Sequence, residues 1–422
     1  MLAVPALAQM PDLGPPPQFV EPALERAQLG QLLFYDPILS GNRNISCATC
    51  HNPKFGTGDG VSLSIGEGGI NLGPDRKPDP ANMPEQRVPR NSPGLWNLGA
   101  SAFTVMFHDG RLETDAQQPN GIRTPLGAEM IQGFDSVLAA QAMFPVLSAD
   151  EMAGHYSENE ISAAVRQGLL SQPGGAWDRL ARRVADIPEY RTAFDQVTGP
   201  GSDITFPQIA NLIADFIRYE WRADNSAFDL AMRGQKQLSA KQSEGMGLFY
   251  GTAGCASCHS GWLQTDNRFY AIAMPQIGPG KAARFEDNNR DEGRMRVTGA
   301  PGDAYAFRTP SLRNVTLTAP YGHNGAYATL RDVIKHHLDP VASLRRYDIS
   351  QAILPAFGGA VDDAVLGNEI DMNSIAAANS LAPTTLDPSQ IDAIIAFLGA
   401  LEDDTQRLGV PDKVPSGLAV DR

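Results

Sequence analysis

All four cysteines of this chain lie in two pentapeptides, Cys47-Ala48-Thr49-Cys50-His51 and Cys255-Ala256-Ser257-Cys258-His259. Two thiols three positions apart can each add to a haem vinyl group, and the adjoining histidine then reaches the iron. The spacing therefore predicts two covalent c-type haems, attached through Cys47 and Cys50 and through Cys255 and Cys258, with His51 and His259 as proximal ligands. A Cys₄ zinc site built from two knuckles is the competing use. Such knuckles usually lie within a few tens of residues of each other and need no histidine after each pair. Two unrelated disulfides would leave the histidines equally unexplained.

Five histidines remain: His108, His155, His323, His336 and His337. Thr329 and Asp332 make a capping-box-like helix start, after which Leu330, Val333, Ile334 and His337 share one apolar face. His337 is thus expected to point into the core as second axial ligand of the C-terminal haem, with His336 facing elsewhere. A core histidine bonded to a backbone carbonyl is the plainer reading, and Met274 and Met295 are alternative ligands. No role follows for His155 or for the segment 348–383 beyond surface insertion.

The elements that must hold these groups show an internal echo. Gly30-Gln31-Leu32-Leu33-Phe34-Tyr35 precedes the first haem motif and Gly245-Met246-Gly247-Leu248-Phe249-Tyr250 the second. A mainly α fold of two cytochrome c-like haem domains related by duplication, with long loops, fits this echo. Ile209, Leu212, Ile213, Phe216 and Ile217 keep the spacing of an amphipathic helix. Just after it, near Arg222, the boundary is placed, giving domains at 18–222 and 223–405 and a tail at 406–422. Gly66 to Pro93 and Ile277 to Pro301 are rich in Gly, Pro, Asn and charge, and read as ordered loops. Asp387-Pro388-Ser389-Gln390 starts a helix running to about Leu401.

The 422 residues, 42% of them hydrophobic, can supply more than one core. Residues 1–8 read as a signal-peptide remnant, with Ala6-x-Ala8 as cleavage site, so the expected location is the bacterial periplasm. No apolar run approaches the ~18 residues of a spanning helix. A net charge of −14 argues against nucleic-acid binding.

Ala306 to Val315, then Leu317-Thr318-Ala319-Pro320-Tyr321-Gly322-His323-Asn324-Gly325, resembles the signature of bacterial di-haem cytochrome c peroxidases and their MauG-like relatives. Leu29 to His51, Arg90-Asn91-Ser92-Pro93, Phe107-His108-Asp109-Gly110-Arg111 and the second haem motif extend the resemblance from about Pro22 to Pro340. It implies a peroxidatic N-terminal haem, an electron-transfer C-terminal haem, and a calcium ion held by the Asn91 side chain and the Thr318 and Pro320 carbonyls. By the same resemblance Glu129 is the distal acid–base group, with Gln117 or Gln118 orienting peroxide. His108 stands where the family often places a tryptophan between the haems, and an imidazole is a poorer hole carrier. Trp96, Trp221 and Trp262 read equally well as core packing. His337 replaces the family's Met or Tyr, and His/His ligation lowers a haem potential relative to His/Met. Glu67 stands where many members carry a removable distal histidine, and is either a solvated loop carboxylate or a haem ligand.

The expected function is that of a periplasmic di-haem peroxidase that reacts with hydrogen peroxide at the N-terminal haem and oxidises a partner protein residue. One alternative is a cytochrome c peroxidase that removes peroxide with electrons from a small cytochrome or cupredoxin. A non-catalytic di-haem electron carrier is the alternative of a different class. Monomer and homodimer are both left open.

Overall fold

The computed structural model describes residues 11–118, 120–282 and 286–422, so the expected leader at 1–8 lies outside the described residues. The chain is mainly helical, with 38% helix and 6% strand. Its few strands are two or three residues long. Gly69–Ile70 pairs antiparallel with Lys77–Pro78, and Phe269–Tyr270 with Phe307–Arg308. A three-stranded antiparallel patch holds Leu112–Thr114 between Val105–Met106 and Ile122–Arg123.

Two helix crossings organise the two halves. In the first half α1 (Leu24–Tyr35) packs on α2 (Phe206–Glu220); in the second, α3 (Ala240–Tyr250) packs on α5 (Pro388–Gly399), with α4 (Leu330–Leu338) beside it. Local chemistry explains the starts. Thr205 with Gln208, Ser239 with Gln242, and Asp387 with Gln390 form capping boxes that satisfy backbone N–H groups a helix start would otherwise orphan.

The crossings share one design. A Cβ at Gly30 would run into the Leu212 carbonyl, and a Cβ at Gly245 into the Ala393 carbonyl. Glycine is therefore what lets each helix pair approach so closely. Four residues on, Phe34 and Tyr35 lie 5.2 and 6.1 Å from the Phe216 ring, while Phe249 and Tyr250 lie 5.1 and 6.0 Å from Phe397. The first core gathers Leu33, Phe34, Ile213, Phe216 and Trp221; the second gathers Phe228, Phe249, Ile394 and Phe397.

The charged loops are fixed by ion pairs, all but Arg90–Asp109 of which join the two halves. Arg90 meets Asp291 at 2.6 Å and Asp109 at 2.7 Å, Arg294 meets Glu113 at 2.8 Å, and Arg87 meets Asp362 at 3.0 Å. The segment 348–383 is more than a surface insertion. Its helix Glu369–Ala378 buries Met372 and Ile375 against Ala271 and Tyr305, while the Ile353 carbonyl accepts from the Ser62 N–H and the Ile353 N–H donates to the Ser62 hydroxyl.

Each end of the described chain lies against the opposite half. Leu13 packs into the second core and the Gly14 carbonyl accepts from the Trp262 indole. Residues 406–422 return to the first half, where Val414 is buried in its core. There the N–H groups of Arg407, Leu408 and Gly409 donate to Glu220, Ser416 donates to Asp36, and Thr49 donates to Asp421.

Candidate active site

The first motif forms a single helical turn, Cys47–Cys50, capped by Ser46 and Thr49. Its neighbour His51 donates from Nδ1 to the Thr57 carbonyl at 3.0 Å, with the Ser92 hydroxyl 3.2 Å away. That bond fixes the tautomer and leaves Nε2 as the ligating nitrogen. In the second motif His259 holds the Gln264 carbonyl by Nδ1 at 3.2 Å, the same arrangement. None of the four cysteines forms a disulfide. Burial pushes Cys47 and Cys50 up to about 12 and Cys255 to about 11, so as thiols they stay protonated at neutral pH.

A large, mostly apolar cavity opens over the first motif. Phe34, Leu138, Met152 and Ile217 help to wall it, beside Cys47, Cys50 and His51. Its polar lining includes Gln141, Glu151, Arg111 and Lys281, together with Ser46, Ser64, Asn91 and Ser92, and with His108 and Arg90 at the side towards the second half. Burial raises the Glu151 carboxyl above its ordinary value, against the opposing pull of Lys281 and Arg111. Lys281 is lowered to about 8, chiefly by burial and then by Arg111 and Arg90. Gln141 Oε1 is buried with no partner. An apolar slot with two thiols, an imidazole with Nε2 free and an orphaned amide oxygen fits haem plus a small polar ligand.

Two of the expected catalytic residues are not brought into this cavity. Glu129 sits exposed on the 3₁₀ turn Gly127–Glu129, and Gln117 is exposed in the turn at 115–118. The carboxylate in the cavity is Glu151, on the turn Ala149–Ala153, which the sequence reading missed. One signal for it was present: Glu-Met occurs twice, as Glu129-Met130 and Glu151-Met152. The amide in the wall is Gln141 rather than Gln117 or Gln118.

His108 does line the cavity. Its Nε2 lies 3.1 Å from the Asn91 carbonyl, and burial, then Arg90, lowers it to about 4, so the ring is neutral. Trp96 and Trp221 are buried in the first core, Trp96 donating to the Gly56 carbonyl, and Trp221 packs edge-on against Phe34 and Phe216. Glu67 is neither solvated nor in the cavity lining. It is fully buried, and its Oε1 accepts from the amides of Asn42, Asn44 and Asn82, each at 2.9 Å.

At the second motif the roles of the paired histidines are divided, with burial reversed from expectation. His336 is the fully buried one, bonded at Nδ1 to the Tyr327 hydroxyl (3.0 Å) and at Nε2 to the Ile272 carbonyl (2.8 Å). Those partners come from other segments, so helical periodicity could not reveal them. His337 is half-buried; it spends Nδ1 on the Val333 carbonyl at 2.8 Å and leaves Nε2 free. Burial, then the neighbouring His337, lowers His259 to about 4. At the expected calcium position, the Asn91 N–H donates to the His323 carbonyl beside the 318–323 loop. The Asn91 amide donates to the Val61 carbonyl, and neither the Thr318 nor the Pro320 carbonyl accepts a hydrogen bond from the described residues.

The family model described as di-haem cytochrome c peroxidase matches residues 24–237. The methylamine utilization protein MauG of Methylorubrum extorquens is 27% identical over 338 residues, covering 80% of this chain and 75% of that protein. Cytochrome c551 peroxidase of Nitrosomonas europaea is 30% identical over 312 residues, covering 74% and 72%. Among solved structures, a MauG-like protein associated with microbial copper homeostasis superposes with a TM-score of 0.62 at 24% identity, covering 94% of this chain and 95% of the other. The di-haem peroxidase BthA of Burkholderia thailandensis gives 0.60 at 20% identity, covering 91% and 87%.

Proposed function

The chain belongs to the di-haem cytochrome c peroxidase family and is a haem-dependent peroxidase; on that premise we propose that it has MauG-like character, oxidising a side chain of a partner protein with hydrogen peroxide. The observation that carries the reading is Glu151, a half-buried residue whose carboxyl is raised in pKa and lines the same cavity as Cys47, Cys50 and His51. Haem bound there supplies an iron that peroxide can oxidise by two electrons.

The protein's own groups do the rest. Glu151 takes a proton from peroxide and returns it to the departing oxygen, which asks for a carboxyl titrating nearer neutrality than an exposed one. Lys281 and Arg111 favour the anionic form of peroxide, and Gln141 orients it. Because Glu67 is held by three asparagines, it does not compete for this cavity. His337 and His259, each with Nε2 free, would hold the second haem between two imidazoles. Such ligation favours a low potential, which supports oxidation of a partner over electron supply by a high-potential donor. Asn91, Thr318 and Pro320 would hold a calcium ion beside the Arg90 ion pairs. The matched glycine crossings support descent of the two halves from one duplicated haem unit, and a di-haem c-type protein belongs in the periplasm.

The test is turnover of the haem-loaded enzyme with peroxide. Glu151→Gln should lose about 10²–10⁴-fold in rate, whereas Glu129→Gln should stay within about twofold of wild type because an exposed surface acid contributes little. Equal losses in both variants would sink the assignment. Low-temperature EPR of the oxidised protein should show one high-spin and one low-spin signal; two low-spin signals would favour the electron-carrier reading.

A further inference from the structure

Beyond the haem cavity, the least explained polar group is Glu67. Its Oε1 is the acceptor for three asparagine amides, yet its Oε2 is equally buried and has no partner. A carboxylate offers about two lone-pair sites on each oxygen, so one oxygen is oversubscribed while the other is orphaned. An orphaned buried carboxylate oxygen is costly. The nearest guanidinium does not relieve it, since Arg76 donates to the carbonyls of Ile65, Gly66 and Asn71.

A second carboxylate stands beside this one. The Asn42 amide nitrogen bridges Glu67 Oε1 (2.9 Å) and Glu158 Oε1 (2.6 Å). The side-chain oxygens of Asn44 and Asn82 accept nothing from the described residues, and an amide turned end for end occupies the same space. Turned so, Asn44 and Asn82 would present two more oxygens to Glu67, while Asn42, whose oxygen accepts from Asn159, stays a donor between Glu67 and Glu158. Two carboxylates and two amide oxygens, with no nitrogen or sulfur ligand among them, are a hard-cation set that suits calcium and not zinc or copper.

We propose that Glu67, Glu158, Asn44 and Asn82 form a calcium site on the first half, separate from the one expected at Asn91. The ion would tie the loop just before Cys47 to the loop that follows the turn carrying Glu151. It would thereby pin the wall of the peroxide cavity from outside. The inference stands independently of the MauG-like reading.

The experiment is equilibrium dialysis of the haem-loaded protein against radioactive calcium after stripping with EGTA, with melting followed in parallel. Wild type should bind one more calcium than Glu67→Gln, and Asn91→Ala should retain this site. Asn44→Ala, at an exposed position chosen so that folding is not at stake, should weaken one site by about tenfold or more. Added calcium should raise the melting temperature of wild type more than that of either variant of this site. Unchanged stoichiometry and affinity in both Glu67→Gln and Asn44→Ala would overturn the proposal, leaving a carboxylate held by amides alone. If Glu67→Gln does not fold, the Asn44→Ala affinity decides.

Discussion

A histidine can ligate iron only with a ring nitrogen to spare, and the adjacent pair at 336 and 337 differs in that respect as well as in burial. His337 has Nε2 free because its other nitrogen bonds the carbonyl four residues back; His336 has spent both. His337→Ala should therefore remove the low-spin EPR signal of the second haem. His336→Ala should keep that signal and instead lower stability by about 1–3 kcal/mol, because the Tyr327 hydroxyl and the Ile272 carbonyl lose a buried partner. Spectra and melting curves of the two variants separate the roles. At this scale the sequence was readable where chemistry is local. The two Cys-x-x-Cys-His motifs point to four attachment positions and two ligands, and periodicity singled out His337, which the structure leaves half-buried with one ring nitrogen free. Glu151 was hidden, because an acid enters the cavity only through the path of the Ala149–Ala153 turn, and nothing in local spacing marks that path.

Among the elements, the crossings of α1 with α2 and of α3 with α5 turn on one glycine each. An alanine in a helix ordinarily gains roughly 0.5–1 kcal/mol over glycine, but at Gly30 or Gly245 its methyl would meet a carbonyl of the facing helix. Gly30→Ala and Gly245→Ala should each destabilise by about 1–3 kcal/mol, as overpacked cores do. Chemical denaturation of each variant checks the sign, which a propensity argument alone gets backwards. The helix starts were legible because caps are short-range: Thr329 and Asp387 bond N–H groups two or three residues on, as their types predict. The end of α5 at Gly399 rather than near Leu401 is ordinary fraying of a boundary. The loops at 66–93 and 277–301 were legible as irregular. Their partners were not, since Arg90 and Asp291 find each other across 201 positions.

Over the whole molecule, the first half is clamped to the second by Arg90, which Asp109 holds from its own half while it pairs with Asp291 of the other. Burial alone would raise both carboxyls, but Arg90 outweighs it. Asp109 falls to about 2, and Asp291 is held well below its ordinary 3.8. Carboxyls depressed on folding add stability that is complete above the unfolded value and drains away as pH falls through the folded one. Melting temperature should thus hold this contribution down to about pH 4 and lose it between about pH 4 and 2. Arg90→Ala should cost about 3–5 kcal/mol near neutrality by stranding the buried Asp291 charge and leaving Asp109 to Arg111 alone, and should flatten that acid limb. Both are read from thermal melts across pH. Such a clamp was beyond sequence reasoning, as was the return of residues 406–422 to the first half, because neither leaves a local pattern.

That returning strand also sets a timetable. Thr49 lies inside the first haem-attachment turn, and its partner Asp421 is made 372 residues later. At roughly 5–20 residues per second, translation leaves an interval on the order of tens of seconds. Throughout that interval the turn bearing Cys47 and Cys50 lacks its outer strap and stands open to whatever delivers haem. The strap reaches the haem-attachment turn only once the chain up to Asp421 has been threaded and folded back, so the turn is reachable before it is fastened.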